Sequence, residues 1–496
     1  MNEQILFLPI LWPLAAASAA VFLRRSYRSQ GRVAFLGLAA GLASSLALLA
    51  RVWTSGDAVS LQLGGWPAPF GISLVGDLLS TSLVVLSQLV LLLGVLYAIG
   101  AKDRATRIPT FYPFFLLMSV GLTGAFLTGD LFNFFVFAEL LVISGAALTA
   151  LADDRYGVEA AYKYFYISLL ATILLLLGIG SLYISYGTLN MADLAQRIAF
   201  DPGQPLLPVA IVLLAATFMV KSAVFPFHFW QPDFHTASPT AVSAMLSSVV
   251  VKLGVYGFLR MTTLLFVDQA GWIRGLLLIL GVAGILYGGL AAIGTGNVKR
   301  MLAYSTIAQV GFILVAIGWG TPLALAAAVV FTFSHSLIKS GMLMLAGAVA
   351  SRAAIKSAAF DVVTGAGKKA PLLGLLFFLG ALALAGIPPT SGFISKLLFF
   401  QSGLDAQALA LVGVIGAAGL LTLVYGLRAF QRIWWQPAVQ EYEPKASGDA
   451  AIAPAVLILL VMVFGLWPGP ILRLAEAISL SLASPAGYLF AVLGGS

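Results

Sequence analysis

Apolar stretches long enough to cross a bilayer follow one another along this chain from end to end, and that succession restricts the fold more than any other property. In the hydrocarbon, every backbone N–H and C=O must find a partner within the protein, so only helices and closed barrels span it. The stretches approach the roughly 20 residues of a helix rather than the roughly 9–11 of a barrel strand. They fall near 4–23, 33–53, 75–100, 111–128, 131–151, 160–186, 206–226, 239–266, 272–294, 300–319, 322–348, 371–403, 407–430 and 451–467. The expected architecture is an all-α polytopic membrane protein of about 14 helices, with 468–496 unassigned. Only 9% of the residues are charged, where a soluble domain carries about 25%.

With the N-terminus outside, eighteen of the 27 Lys and Arg residues, Lys299 among them, fall in inner loops. Five (Arg51, Arg197, Arg260, Arg274 and Arg473) fall at outer ends. This bias predicts an even number of spans with both termini outside, and it makes the net charge of +8 a topology signal rather than a nucleic-acid footprint. Glu3 at the start, and Arg24 and Arg25 after the first apolar run, suit a first membrane helix and not a cleaved signal peptide. The absence of cysteine excludes disulfides, thiolate metal sites and thiol catalysis within the chain. No loop is long enough for a soluble domain, so residues 1–496 are expected to form one membrane domain. Leu61 to Val75, rich in Gly and Pro, predicts a small outer turn or hairpin.

Five ionisable residues lie inside spans: Glu139, Lys221, Lys252, Lys339 and Lys396. A charge at a helix centre costs about 2.5–3.5 kcal/mol on insertion scales, and such residues mark ion or proton pathways. Lys221 lies shortly before Pro226, and Lys396 shortly after Gly386, Pro388 and Pro389. Proline removes a helix hydrogen bond and crowds the preceding turn, so spans seven and twelve are expected to be discontinuous. Interrupted helices in corresponding places of two halves point to an inverted repeat. The expected repeats are spans four to eight (111–266) and nine to thirteen (272–430), flanked by helices in 1–100 and 451–496.

Five segments carry a resemblance that covers most of the chain. They are Asp130-Leu-Phe-Asn-Phe-Phe-Val-Phe-Ala-Glu139, Val220-Lys-Ser-Ala-Val-Phe-Pro-Phe-His-Phe-Trp-Gln-Pro232, Ser238-Pro-Thr-Ala-Val242 followed by Lys252, Asn297-Val-Lys-Arg-Met-Leu-Ala-Tyr-Ser-Thr-Ile-Ala-Gln-Val-Gly311, and Pro388-Pro-Thr-Ser-Gly-Phe-Ile-Ser-Lys396. Together they resemble the antiporter-like membrane subunits shared by respiratory complex I, membrane-bound hydrogenases and Mrp-type cation/proton antiporters. The run before Glu139, the segment Leu63-Gly-Gly-Trp-Pro67 and the length lean towards the Mrp branch. The resemblance implies a fourteen-helix subunit of a hetero-oligomeric complex in a prokaryotic cell membrane. It implies a proton path along the membrane plane through Glu139, Lys221, Lys252, His335 or Lys339, and Lys396, with protons and sodium as the ions moved and no cofactor in this chain.

Burial disfavours the charged form of an amine and a neighbouring carboxylate favours it, so Glu139 beside Lys221 would act as a proton switch. That closeness is implied by the resemblance alone. His335 and Lys339 are four residues apart, hence on one helix face, and suit a step between Lys252 and Lys396. His228, Asp233 and His235 read as an inner loop and as candidate proton-uptake residues. Ser248, Tyr304, Ser305, Thr306 and Gln309 are candidates to hold water between the charges. Asp77 and Asp130 begin spans and read first as helix caps. Gly294-Thr-Gly296 and Gly365-Ala-Gly-Lys368 lack the rest of a nucleotide loop, and no nucleophile motif is present. These features favour an ion transporter subunit over an enzyme. The competing expectations are a proton-pumping subunit of a redox complex and a structural subunit whose charges only pin its neighbours.

Overall fold

The computed structural model describes residues 3–152, 154–353, 355–438, 445 and 447–494. Its helices are α1 (Leu8–Phe22), α2 (Tyr27–Ser55), α3 (Leu78–Gly100), α4 (Phe111–Leu127), α5 (Leu131–Ala150), α6 (Arg155–Tyr186), α7 (Met191–Phe200), α8 (Leu207–Lys221), α9 (Trp230–Ala237), α10 (Thr240–Met245) and α11 (Lys252–Arg260). They continue with α12 (Ala270–Gly294), α13 (Val298–Trp319), α14 (Pro322–Ala350), α15 (Phe360–Val363), α16 (Pro371–Ala385), α17 (Ser391–Asp405), α18 (Leu409–Phe430), α19 (Ile452–Leu466), α20 (Gly469–Ala483) and α21 (Ala486–Leu493). A hairpin of β1 (Val59–Gln62) and β2 (Ser73–Gly76), paired antiparallel with Val59 opposite Gly76, fills the predicted turn. Among the described residues nine helices are long and apolar enough to cross a membrane, so this is a multi-pass membrane protein.

Local chemistry sets the helix ends. Asp77 and Ser80 form a reciprocal capping box at α3, and the Asp130 carboxylate accepts the Asn133 amide at α5, so both aspartates are the caps the sequence suggested. Asn297 caps α13 in the same way through the Arg300 amide. The apolar helices sort by depth. The continuous span Thr240–Leu265 is wholly buried, as are nearly all of α13 and α14, whereas α2, α6, α12 and α18 leave most of their surface to lipid or partners. That buried centre carries Lys252, His335 and Lys339. Two single turns of π-helix, Leu246–Val250 and Met261–Leu265, interrupt the central span on either side of α11.

Both predicted breaks are present, with boundaries shifted. α8 stops at Lys221, five residues before Pro226, and the second half of the span is α9. In the twelfth span α16 ends at Ala385 and is capped by Gly386, whose φ of +81° is left-handed, and α17 resumes beyond Pro388 and Pro389. Residues 468–496, unassigned from sequence, give α20 and, as far as 494, α21; α20 leaves α19 at 80°. Two short main-chain clamps have the same design. Leu131 N–H donates to Leu189 O and Met191 N–H to Gly129 O, at 3.0 and 2.8 Å. Val298 N–H donates to Ala358 O and Phe360 N–H to Gly296 O, at 2.9 and 2.8 Å. The first clamp closes the α5–α6 pair, the second the α13–α14 pair.

Candidate functional site

Lys252 starts α11, immediately after a π-helical turn, and its Nζ lies 2.6 Å from His335 Nδ1 on α14. Both side chains are at most 2% exposed. An ammonium group has no acceptor, so one of the facing nitrogens carries a proton and the other a free lone pair. Lys339, one turn further along α14, does not bond His335; its Nζ donates to Leu302 O on α13 at 2.8 Å. It remains within electrostatic reach of Lys252 and His335. The buried His335 Nε2 has no partner among the described residues.

At each helix break an amine meets the C-terminal end of a half-helix, where the exposed carbonyls favour positive charge. Lys221 is itself the last residue of α8. Lys396 sits on α17 and reaches back across the break to donate to Ala385 O, the last residue of α16, at 2.8 Å. Its Nζ also lies 5.4 Å from the Phe312 ring centroid, beside an apolar cavity of about 270 Å³ lined by Phe393, Phe400 and Leu420. Gly386 makes this reach possible, since a Cβ there would lie 2.5 Å from Lys396 Cδ.

Glu139 and Lys221 are not closed into an ion pair. The half-buried Glu139 carboxylate accepts from the Thr172 hydroxyl on α6, and Lys221 Nζ is buried with no hydrogen-bond partner among the described residues. The carboxylate still acts on the amine through its field.

Hydroxyls from neighbouring helices pair within the buried interior. Ser247 and Thr306 hydroxyls lie 2.6 Å apart, Ser336 donates to Ser248 O at 3.0 Å, and Tyr425 donates to Ser305 at 2.5 Å. Ser334 and Ser391 join α14 to the start of α17 at 2.9 Å. Gln309 Nε2 is buried and unpartnered among the described residues, as is Ser222 Oγ. Native proteins commonly satisfy such atoms with water.

The three candidate uptake residues separate. His235 and Asp233 are on α9, not in a loop, because the span continues past its break. Asp233 points to the surface and pairs with Arg300 at 3.0 Å and Lys163 at 3.1 Å. His228 lies in the break, against Phe225 and Tyr287. His235 is fully buried, its Nδ1 3.2 Å from Ser243 Oγ. Sequence reasoning missed Thr172, which carries no signal of its own. It also passed over Lys299, read there as a topology residue although it closely follows the Asn297 cap and is buried. Arg260, taken as an outer charge, is buried and holds Asp77 through two bonds of 2.7 and 2.8 Å.

The model of the family described as NADH:quinone oxidoreductase/Mrp antiporter, TM matches residues 128–422, which include every one of these groups except Asp77 and Tyr425. The chain is 32% identical to the D-type Na(+)/H(+) antiporter subunit of Alkalihalophilus pseudofirmus, over 99% of this chain and 100% of that one. It is 36% identical to the N-type NADH-quinone oxidoreductase subunit of Desulforudis audaxviator, over 94% and 95%. A chain of the Mrp complex from Dietzia sp. DQ12-45-1b superposes with a TM-score of 0.90 at 27% identity, covering 100% of both. With the buried bases, the broken helices and these likenesses in agreement, the chain belongs to the NADH:quinone oxidoreductase/Mrp antiporter family of transmembrane proteins.

Proposed function

We propose that this chain is the proton-translocating membrane subunit of a multisubunit sodium/proton antiporter, and that it works as a transporter subunit rather than an enzyme. Protons move along the membrane plane through Glu139, Lys221, Lys252, His335, Lys339 and Lys396. The observation that carries the reading is the 2.6 Å contact between Lys252 Nζ and His335 Nδ1, two buried bases on different helices. A structural role explains such a contact poorly, because buried ionisable groups are often replaceable by apolar ones without loss of stability. Sodium and the partner subunits enter from the name of the antiporter relative and from the assembly of the structural neighbour. In this reading the nine long helices, the four shorter apolar ones and the bent α19–α20 pair make fourteen spans, in a prokaryotic cell membrane with both termini outside. Two features support spans four to eight and nine to thirteen as inverted repeats. The clamps match residue for residue around Asp130 and Asn297, and spans eight and thirteen both end in a π-helical turn.

The test is sodium-driven collapse of a pH gradient in inverted vesicles containing the assembled complex. Glu139→Ala, Lys221→Ala, Lys252→Ala and Lys396→Ala are each expected to abolish it while the subunits still co-purify. Normal collapse in any assembled variant removes that residue from the path. A second reading, a proton-pumping subunit of a redox complex, is favoured by the 36% identity to a NADH-quinone oxidoreductase subunit. Purification under mild detergent separates the two, since redox chains would accompany the protein only under the second.

A further inference from the structure

The two broken spans treat their amines differently. At the first break the Glu139 carboxylate acts on Lys221 through its field. At the second, no carboxylate among the described residues pairs with Lys396 or acts on it, and the amine lines a cavity instead. An ammonium group has three N–H donors, and the Ala385 carbonyl takes one of them. The cavity, of about 270 Å³, opens through the side wall between α17 and α18, where Leu397 and Leu420 are 41% and 65% exposed. Gly416 and Gly419 on α18 keep it open: a Cβ at Gly419 would lie 4.0 Å from Lys396 Nζ, and one at Gly416 3.8 Å from the Phe400 ring. At about 30 Å³ for each water-sized group, it takes on the order of nine such groups. Because α16 and α17 are halves of one span, the amine stands near the middle of the hydrocarbon, where the head group of a two-chain phospholipid does not reach.

We propose that this cavity binds a single-chain aliphatic carboxylic acid, a free fatty acid, with its tail between α17 and α18 and its carboxylate on Lys396. The other side chains of the lining, Phe393, Leu397, Phe400 and Leu420 among them, are apolar and suit an acyl chain, while the one amine suits one anionic group. A fatty acid enters the hydrocarbon as the neutral acid, since a charge at that depth is costly. At the amine the carboxyl O–H bond breaks and an N–H bond forms, leaving a carboxylate against an ammonium. Paired and hydrogen-bonded, the two charges are tolerated together where either alone is costly. An alcohol or an alkylamine of the same length offers Lys396 no such partner. The ligand brings to the second break the counter-charge that Glu139 supplies at the first. Held as an ammonium, Lys396 cannot release its proton, so occupancy stops flux. That last consequence, unlike the site itself, rests on the proton-translocating reading above.

The test uses the assembled complex in detergent and dodecanoic acid carrying a photoactivatable diazirine in its chain. Crosslinks are expected on Leu397, Phe400 and Leu420, displaced by dodecanoate and at least tenfold less well by dodecanol or dodecylamine. Gly416→Leu, which fills the cavity with a residue that favours a helix, is expected to cut the labelling at least tenfold while sodium-driven flux continues; Gly416→Ala is expected to retain most of it. Lys396→Met is expected to remove the preference for the acid over the alcohol. Absence of crosslinks in the cavity, equal displacement by the alcohol, undiminished labelling in Gly416→Leu, or a preference for the acid that survives Lys396→Met overturns the proposal. In vesicles, uptake of radioactive sodium driven by a pH gradient is expected to be at least tenfold more sensitive to dodecanoate in the unsubstituted complex than in Gly416→Leu. The leak that a fatty acid causes in the bilayer is the same for both. Cavity labelling with equal sensitivity keeps the site and takes Lys396 out of the proton path, so the two failures are told apart.

Discussion

An amine and an imidazole 2.6 Å apart constrain each other's protonation more tightly than either would be constrained alone. Replacing His335 by Ala leaves Lys252 with neither a donor nor an acceptor at that position. The expected result is a loss of proton flux of at least tenfold, with assembly retained on co-purification. At Gly386, by contrast, the requirement is geometric. A side chain there meets both the left-handed φ and Lys396 Cδ, so Gly386→Ala is expected to cost about 1–3 kcal/mol, seen as a lower Tm in detergent, and to slow flux by displacing the amine. Residues whose charge was out of place in an apolar run were legible in the sequence: Glu139, Lys221, Lys252, Lys339 and Lys396. Thr172 was not, because a threonine on a membrane helix is ordinary until its partner is known. Lys299 reads in the sequence as a topology charge, and its burial comes from packing that a basic loop does not announce.

Between elements, the close approach of α11 to the end of α8 depends on Gly254. A Cβ there would stand 2.1 Å from Ser222 Oγ and 2.5 Å from Phe218 O. Gly254→Ala therefore forces the buried span away from the break. A stability loss of about 1–3 kcal/mol, measured by thermal unfolding in detergent, is expected together with impaired flux. The prolines announced both breaks, but the sequence placed the first one late. Proline marks where a helix cannot continue, while α8 had already ended at Lys221. α9 was hidden because its eight residues are too polar and too few to read as part of a span, so His235 was assigned to a loop. The π-helical turns flanking α11 have no composition that distinguishes them from α-helix.

At the scale of the molecule, the face opposite the basic loops is fastened by Arg260. Its guanidinium binds Asp77 at the start of α3 and Tyr256 on its own helix, and it lies 5.0 Å from the Tyr488 ring centroid on α21. Removing one partner of a buried ion pair costs about 3–5 kcal/mol. Arg260→Ala is expected to lower the Tm markedly, and the double replacement Asp77→Leu with Arg260→Leu to recover much of the loss. The two residues are 183 positions apart, and the sequence offered a separate satisfactory account of each, a cap and a topology charge. Pairings at that distance come from packing, which hydropathy does not encode.

The two main-chain clamps carry a mechanical meaning. Each turns a helical hairpin into a closed frame, with a tight connection at one end and a pair of hydrogen bonds at the other. Glu139 and Thr172 face each other across the first frame, and Lys339 and the Leu302 carbonyl across the second. A closed frame resists shear between its two sides, so separations inside it are fixed lengths. α8–α9 and α16–α17 are each cut in the middle; two main-chain bonds, Gly365 N–H to Arg432 O and Gly367 N–H to Ile433 O at 3.0 Å, tie the approach to α16 to the π-helical turn after α18, so in both spans the adjustable point is the cut itself. Any change in the spacing of the bases has to be made there, much as the travel of a linkage is set by its joints and not by its bars.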